Sequence, residues 1–426
     1  MEENPDTSWS ANHEGYCGGI EAGILTDIFV RNFLDLHPYY VKPAHFHEQR
    51  HFYHAKLEAN RAPAIQIPLF VLFLRRAPVQ DPVLDTHVST PIVASSPLMD
   101  CISTYASMRV DPQTFAQSAD EVGLVWVEPV PELITGDIKK YAITNGVVPS
   151  RVAGYWYGDS APPSPDEKII YEVHGGAFVF GDASPVSYLG NAGLCKEMLR
   201  HNQEFSKAFQ IEYRLSQGPP LPHENPFPAA LIDAVAGYHY LVKVMGYKPS
   251  NILLMGESAG GGLAISLVRY LITYVPSLPP PAAVLLMAPF VDGSTTHSGP
   301  ESSFTMNMRS DFIHPFFTGY CLRALLGALP LSEADTNPWL SPVSGYLQET
   351  SGWFAGFPPT FLIFGEAELI RDANRTLAER MGADMGERFT YLEILDATHI
   401  FMNFTWHEPE RTEGLKQVAK WLSVTM

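Results

Sequence analysis

From about residue 122 onward, apolar runs recur along the chain, each closed by turn residues and separated by longer stretches of helical period. The runs are GLVWVEPV (123–130), VAGYWYGD (152–159), KIIYEV (168–173), KAFQIEYRL (207–215), NILLMG (251–256), AAVLLMAPF (282–290), PTFLIFG (359–365) and RFTYLEIL (388–395). Between them, residues 185–202, 228–246, 259–275 and 371–385 have helical patterning, and 410–424 closes the chain with another such stretch. Several runs are apolar at every position, as strands are when helices cover both faces of their sheet. Strands alternating with helices predict an α/β fold with a mostly parallel, doubly covered central sheet.

Two segments break the alternation. Residues 1–121 are rich in His, Pro and aromatic residues and carry no βα rhythm; residues 291–357 separate two strands and hold a predicted helix near FIHPFFTGYCLRALLGAL. We expect an N-terminal cap or lid region over 1–121. A catalytic domain over 122–426 follows, with a cap insertion at about 291–357. Both segments would lie over the carboxyl edge of the sheet, where open α/β sheets bind ligands.

Composition narrows the function classes. A chain of 426 residues, 46% apolar and 17% charged, supports a large core. Its net charge of −18 argues against nucleic acid and anionic lipid as partners. Cys17, Cys101, Cys195 and Cys321 are scattered with no C-x-x-C spacing, which suits reduced thiols and a cytoplasmic location. The opening MEENPDTSWS has neither a signal-peptide nor a transit-peptide pattern. The apolar run at 62–74 contains two prolines and falls short of the roughly 20 residues of a bilayer span, so no membrane span is expected.

The candidate chemistry centres on LLMGESAGGGLAIS (253–266). Gly-x-Ser-x-Gly between an apolar strand and a long helix is the setting of a sharp elbow, in which small residues two positions either side of the serine let backbones pass closely. The turn would lift Ser258 above the sheet beside a helix amino terminus, where developing negative charge is favoured. A serine nucleophile needs a base, and the base an orienting carboxylate. In this class of fold they follow the last two strands. EAELIRD offers Glu366, Glu368 and Asp372; DATHIF offers Asp396 and His399, and His399 is the expected base. An oxyanion needs backbone donors, expected from Gly175 and Gly176 in YEVHGGAFVFGD and from Ala259. His174 is expected to brace that loop.

Taken in order, HGGAF, EYRL…PFPAALIDAVAGYHYL, GESAGGGLA, GEAELIRD and THIF resemble the signature of the hormone-sensitive-lipase-like branch of the α/β-hydrolases, over roughly residues 122–426. The resemblance implies an α/β-hydrolase fold with an N-terminal lid. It also implies a serine carboxylic ester hydrolase that favours short acyl chains and needs no cofactor. No metal is expected. The apolar and aromatic runs PLFVLFL, YASM and FIHPFFTGY of the lid segments suit a small hydrophobic ester. Position by position it puts the triad acid at Glu368, where the family has Asp, and makes Asp372 structural; Glu366 is the rival. The chain departs from the family at Ala177, Glu257 and the longer link SQGPPLPHEN (216–225).

Other functions are compatible with parts of the sequence. HEQRH (47–51) matches H-E-x-x-H, which on a helix would present His47 and His51 to zinc with Glu48 as base, but no third ligand is evident. A thioesterase, acyl-transfer or chain-release enzyme would use the same acyl-enzyme on Ser258. A small-molecule receptor on the same fold would have no use for His399. The sequence leaves the oligomeric state, the natural substrate and its acyl length open.

Overall fold

The computed structural model describes residues 111–426 except 116–117, 160–163, 165, 186–191, 309, 314–318 and 406. Residues 1–110 of the expected N-terminal lid, with the HEQRH motif, Cys17 and Cys101, lie outside the described residues. The end of that segment holds a 3-10 turn at Pro112–Phe115 and a helical turn at Ala119–Val122.

All eight expected strands form and join one sheet. They are β1 (Leu124–Val127), β2 (Val152–Gly158), β3 (Lys168–Val173), β4 (Phe205–Ile211), β5 (Ile252–Glu257), β6 (Ala283–Met287), β7 (Thr360–Gly365) and β8 (Phe389–Ile394). The order across the sheet is β1-β2-β4-β3-β5-β6-β7-β8. β2 runs antiparallel to both neighbours, and every pairing from β4 to β8 is parallel. The chain winds outward from β3 to β4, then returns to place β5 on the other side of β3. A crevice opens at such a reversal, beyond the carboxyl ends of the strands.

The continuous apolar runs divide between the two faces with a period of two. Ile169, Tyr171, Ile252, Leu254, Val284, Leu286, Leu362 and Phe364 enter one buried cluster. The alternate positions Ile170, Leu253, Met255, Leu285, Phe361 and Ile363 enter a second cluster on the other face.

Helices cover both clusters. α1 (Gly136–Thr144), α3 (Ala229–His239), α4 (Ala259–Tyr274) and α6 (Arg371–Met385) contribute to the first. α2 (Ala192–His201) and α7 (Glu410–Thr425) contribute to the second. α5 (Tyr320–Leu326) lies between β6 and β7 with the one-turn helices Ser303–Met306 and Glu333–Thr336.

Some boundaries differ from those expected. The segment read as one helix over 228–246 is α-helical only to His239 and continues as a π turn over Tyr240–Val244. The expected strand at 123–130 stops at Val127, before Pro129, a residue that cannot donate to a ladder. α1 was absent from the expected elements: its only buried residues are Ile138 and Ala142, too thin a stripe to register as a helical period.

Candidate active site

Ser258 follows β5 directly and precedes the first residue of α4. Its backbone has φ 49° and ψ −120°, a conformation that L-residues with a Cβ rarely adopt. The strain is held in place from both sides. Ser258 N–H donates to Met287 O at 2.9 Å, and Ser258 O accepts from Phe290 N–H at 2.7 Å and Gly262 N–H at 3.2 Å. The flanking glycines are required by contact. A Cβ on Gly260 would lie 2.0 Å from Val173 O, and one on Gly256 would lie 2.4 Å from Gly260 O.

The loops after β7 and β8 bring two more side chains to this point. His399 Nε2 lies 2.9 Å from Ser258 Oγ, and His399 Nδ1 lies 2.8 Å from Glu368 Oε2. Glu368 is fully buried and His399 nearly so, while Ser258 is partly open to solvent. Burial pushes the Glu368 carboxyl well above the usual carboxylate range, partly countered by a backbone hydrogen bond from Gly365 and the side chain of Asn374. Burial also holds His399 below the usual imidazole value, against the upward pull of Asp311 and Glu257. A neutral imidazole is thus favoured at rest, the state in which Nε2 accepts a hydroxyl proton.

The other acids of the region go elsewhere. Glu366, the rival, is partly exposed and faces Arg371 at 3.9 Å. Asp372 accepts from Ser303 N–H at 2.7 Å and from Arg371 Nε at 3.0 Å, a local structural role. Asp396 is exposed.

The glycine loop after β3 calls for a correction. Gly175 was expected to offer its N–H to an oxyanion, but that N–H donates to Glu257 Oε1 at 3.3 Å. A buried carboxylate so close to a donor claims it. Gly176, Ala177 and Phe178 follow with φ of 109°, 53° and 63°. L-residues with a Cβ rarely adopt such a conformation, so the loop holds an uncommon backbone at Ala177 and Phe178. Among the described residues, the N–H groups of Gly176, Ala177 and Ala259 meet no acceptor.

His174 is buried, stacked on Tyr213 with centroids 4.1 Å apart, and its Nδ1 lies 2.8 Å from Gly175 O. Glu257 also accepts from Asn403 Nδ2, so its carboxylate ties the glycine loop to the turn after His399.

Two features were invisible in the sequence. Asp311, in the segment between β6 and β7, is buried with one carboxylate oxygen accepting Leu369 N–H at 2.7 Å and the other Phe312 N–H at 2.8 Å. No motif marks it, because its partners are backbone groups 58 residues away and next door. Asp311, Glu368 and His399 place ligand-type atoms within 4.8 Å of one another. The hydrogen bonds given above already engage these groups, so the arrangement suits proton transfer better than cation binding. The second feature is an apolar recess lined by Phe178, Leu263, Phe290, Leu325, Trp339 and Leu340. It sits beside Gly262 and Phe290, the two residues that hold the Ser258 carbonyl.

Comparison with known proteins agrees with this architecture. Residues 170–403 match a family described as the alpha/beta hydrolase fold. An acetyl-hydrolase of Streptomyces hygroscopicus is 26% identical over 295 residues, covering 68% of this chain and 87% of that protein. An esterase of Acinetobacter venetianus is 24% identical over 282 residues, covering 65% of this chain and 82% of its own. Among solved structures, an esterase from the bacterial hormone-sensitive lipase family superposes with a TM-score of 0.54 at 23% identity. That alignment covers 85% of this chain and 99% of the esterase. The chain belongs to the α/β-hydrolase fold family, and its ordered motifs resemble those of the hormone-sensitive-lipase-like branch.

Proposed function

We propose that this chain is a serine carboxylic ester hydrolase in which Ser258, His399 and Glu368 form the catalytic triad. The observation that carries the reading is the position of one imidazole, within hydrogen-bond reach of the Ser258 hydroxyl on one side and the Glu368 carboxylate on the other. Ser258 Oγ attacks the ester carbonyl carbon as its proton passes to His399 Nε2. Glu368 keeps Nδ1–H pointed at itself and stabilises the imidazolium. The carbonyl oxygen, now carrying the negative charge, lies against the N–H groups of Gly176, Ala177 and Ala259; each such donor is worth about 3 kcal/mol of barrier. His399 returns its proton to the alkoxy leaving group as the C–O bond breaks, leaving an acyl group on Ser258. Water then attacks with His399 as base again, and the acid leaves with Ser258 regenerated.

The name of one similar protein, an acetyl-hydrolase, favours an ester of a short acyl group. The apolar recess that includes Gly262 and Phe290 suits a small hydrophobic moiety of the substrate. The described residues contain no helix long and apolar enough to cross a membrane. Cys195 is a buried thiol bonded to the Glu172 carboxyl, in keeping with the reducing, cytoplasmic setting proposed for the chain. Turnover of p-nitrophenyl acetate by the native chain and by Ser258→Ala and His399→Ala tests the reading. Each variant should lose about 10⁴-fold or more in kcat with an unchanged circular dichroism spectrum; near-native turnover in either rejects the assignment.

A further inference from the structure

The segment between β6 and β7 grips the loop that carries Glu368 at nearly every residue. Ser303 N–H and Oγ bond Asp372 Oδ2 and Leu369 O, both at 2.7 Å. Asn307 Nδ2 donates to Glu366 O at 3.1 Å and Glu368 O at 2.9 Å. Ser310 Oγ donates to Ala367 O at 2.9 Å, and Asp311 takes Leu369 N–H. Polar side chains thus satisfy the backbone on both sides of Glu368, and the clasp ends in a carboxylate. Phe312, the next residue, sets its ring 6.1 Å from the His399 ring.

We propose that Asp311 is a positioning residue of the proton relay, anchoring the Glu368 loop through Leu369 N–H and presenting a second negative charge to the imidazole of His399. The proposal rests on the triad reading above. A carboxyl whose only task was to hold the N–H groups of Leu369 and Phe312 would leave the titration of His399 unmoved when its charge is removed. Its distance from the ring, within 4.8 Å, is the range in which an opposite charge favours the protonated imidazole.

The groups facing His399 are Glu368 from the loop after β7, Asp311 from the insertion and Glu257 from β5, with Ser258 at Nε2. Glu393 of β8 adds to the field on Glu368, and His407 accepts Thr398 N–H beside the ring's own residue. Burial lifts the Asp311 carboxyl to about 6, with His399 pulling the other way. The two titrations are coupled and reach the kinetics as a pair.

The test separates charge from anchoring. Asp311→Asn keeps one acceptor oxygen for Leu369 N–H, gives up the one for Phe312 N–H and removes the charge; Asp311→Ala removes the charge and both acceptors. Fluorophosphonate labelling of native chain at Ser258 comes first, and its failure rejects the triad reading irrespective of Asp311. With labelling in place, kcat and KM for p-nitrophenyl acetate are measured from pH 4.5 to 8.5. Asp311→Asn is expected to move the acidic limb of kcat/KM down by about one unit and to lower kcat about tenfold, the equivalent of that unit, with KM nearly unchanged. Asp311→Ala is expected to move the limb equally and lower kcat further. An unmoved limb in Asp311→Asn overturns the proposal, whether kcat falls or holds. Where Asp311→Asn does not fold, Asp311→Ala carries the same test, and an unmoved limb there overturns the proposal.

Discussion

At the scale of single residues, the site sets two buried groups against their surroundings. His399 is held below the ordinary imidazole value, first by burial, and must be neutral to act as base. Its activity should therefore persist as pH falls and fail only below about 6.5. A kcat/KM profile with its acidic limb at or above that value would contradict the assignment of His399. The choice of acid is equally testable. Glu368→Gln should cost about 10³- to 10⁴-fold in kcat, because the amide no longer fixes the tautomer. Glu366→Gln should change little, since its carboxylate faces Arg371.

The molecule supplies its own control for reading such constellations. His297 Nδ1 lies 2.5 Å from Asp292 and Nε2 lies 2.9 Å from Thr376 Oγ1, a similar hydroxyl–imidazole–carboxylate array. There the hydroxyl donates to Asp372 O at 3.1 Å, which commits its proton to the backbone. What distinguishes Ser258 is its strained elbow and the donors around it.

At the scale of elements, the elbow depends on how closely two segments pass. In Gly260→Ala the new methyl would meet Val173 O and His174 O, at 2.0 and 2.5 Å, both backbone atoms that cannot swing aside. We expect a loss of about 1–3 kcal/mol or more and a collapse of activity together, read by thermal unfolding and turnover; an unshifted unfolding midpoint would show that the contact is soft. A second element-scale prediction concerns Asp233 of α3, fully buried and paired with Arg214 through Nε and Nη2 at 2.8–3.1 Å. Asp233→Ala leaves a mostly buried guanidinium without its partner and should cost about 3–5 kcal/mol in urea unfolding.

Elements were also where the sequence could be read furthest. Strands such as β5 and β7 are buried along their whole length, so hydrophobicity alone marks them. Ser258 and His399 could be nominated because an elbow and a loop after the last strand demand specific residues at specific places. Glu368 came only from resemblance, since three acids share one short loop. The donor choice at Gly175 failed because the Glu257 carboxylate that claims its N–H lies 82 residues away. Asp311 and its clasp could not be read at all. Side chains bonding to backbone carry no period, and Ser, Asn and Asp in a loop look alike whether they hold something or not.

At the scale of the whole molecule, the net charge of −18 bears on which esters arrive rather than on the chemistry. A neutral aryl acetate should show a kcat/KM nearly independent of salt. A succinyl half-ester, being anionic, should be turned over poorly at low ionic strength and improve as salt screens the repulsion. Equal salt dependence for both would mean that the field at the crevice does not follow the net charge.

The central claim, that Ser258 is an activated nucleophile, is met most directly by treating the native chain with a fluorophosphonate and locating the adduct by mass spectrometry. The account predicts one phosphonyl group per chain, on the peptide containing Ser258, and none in His399→Ala. A folded native chain that stays unmodified, or one modified at a different residue, would contradict it.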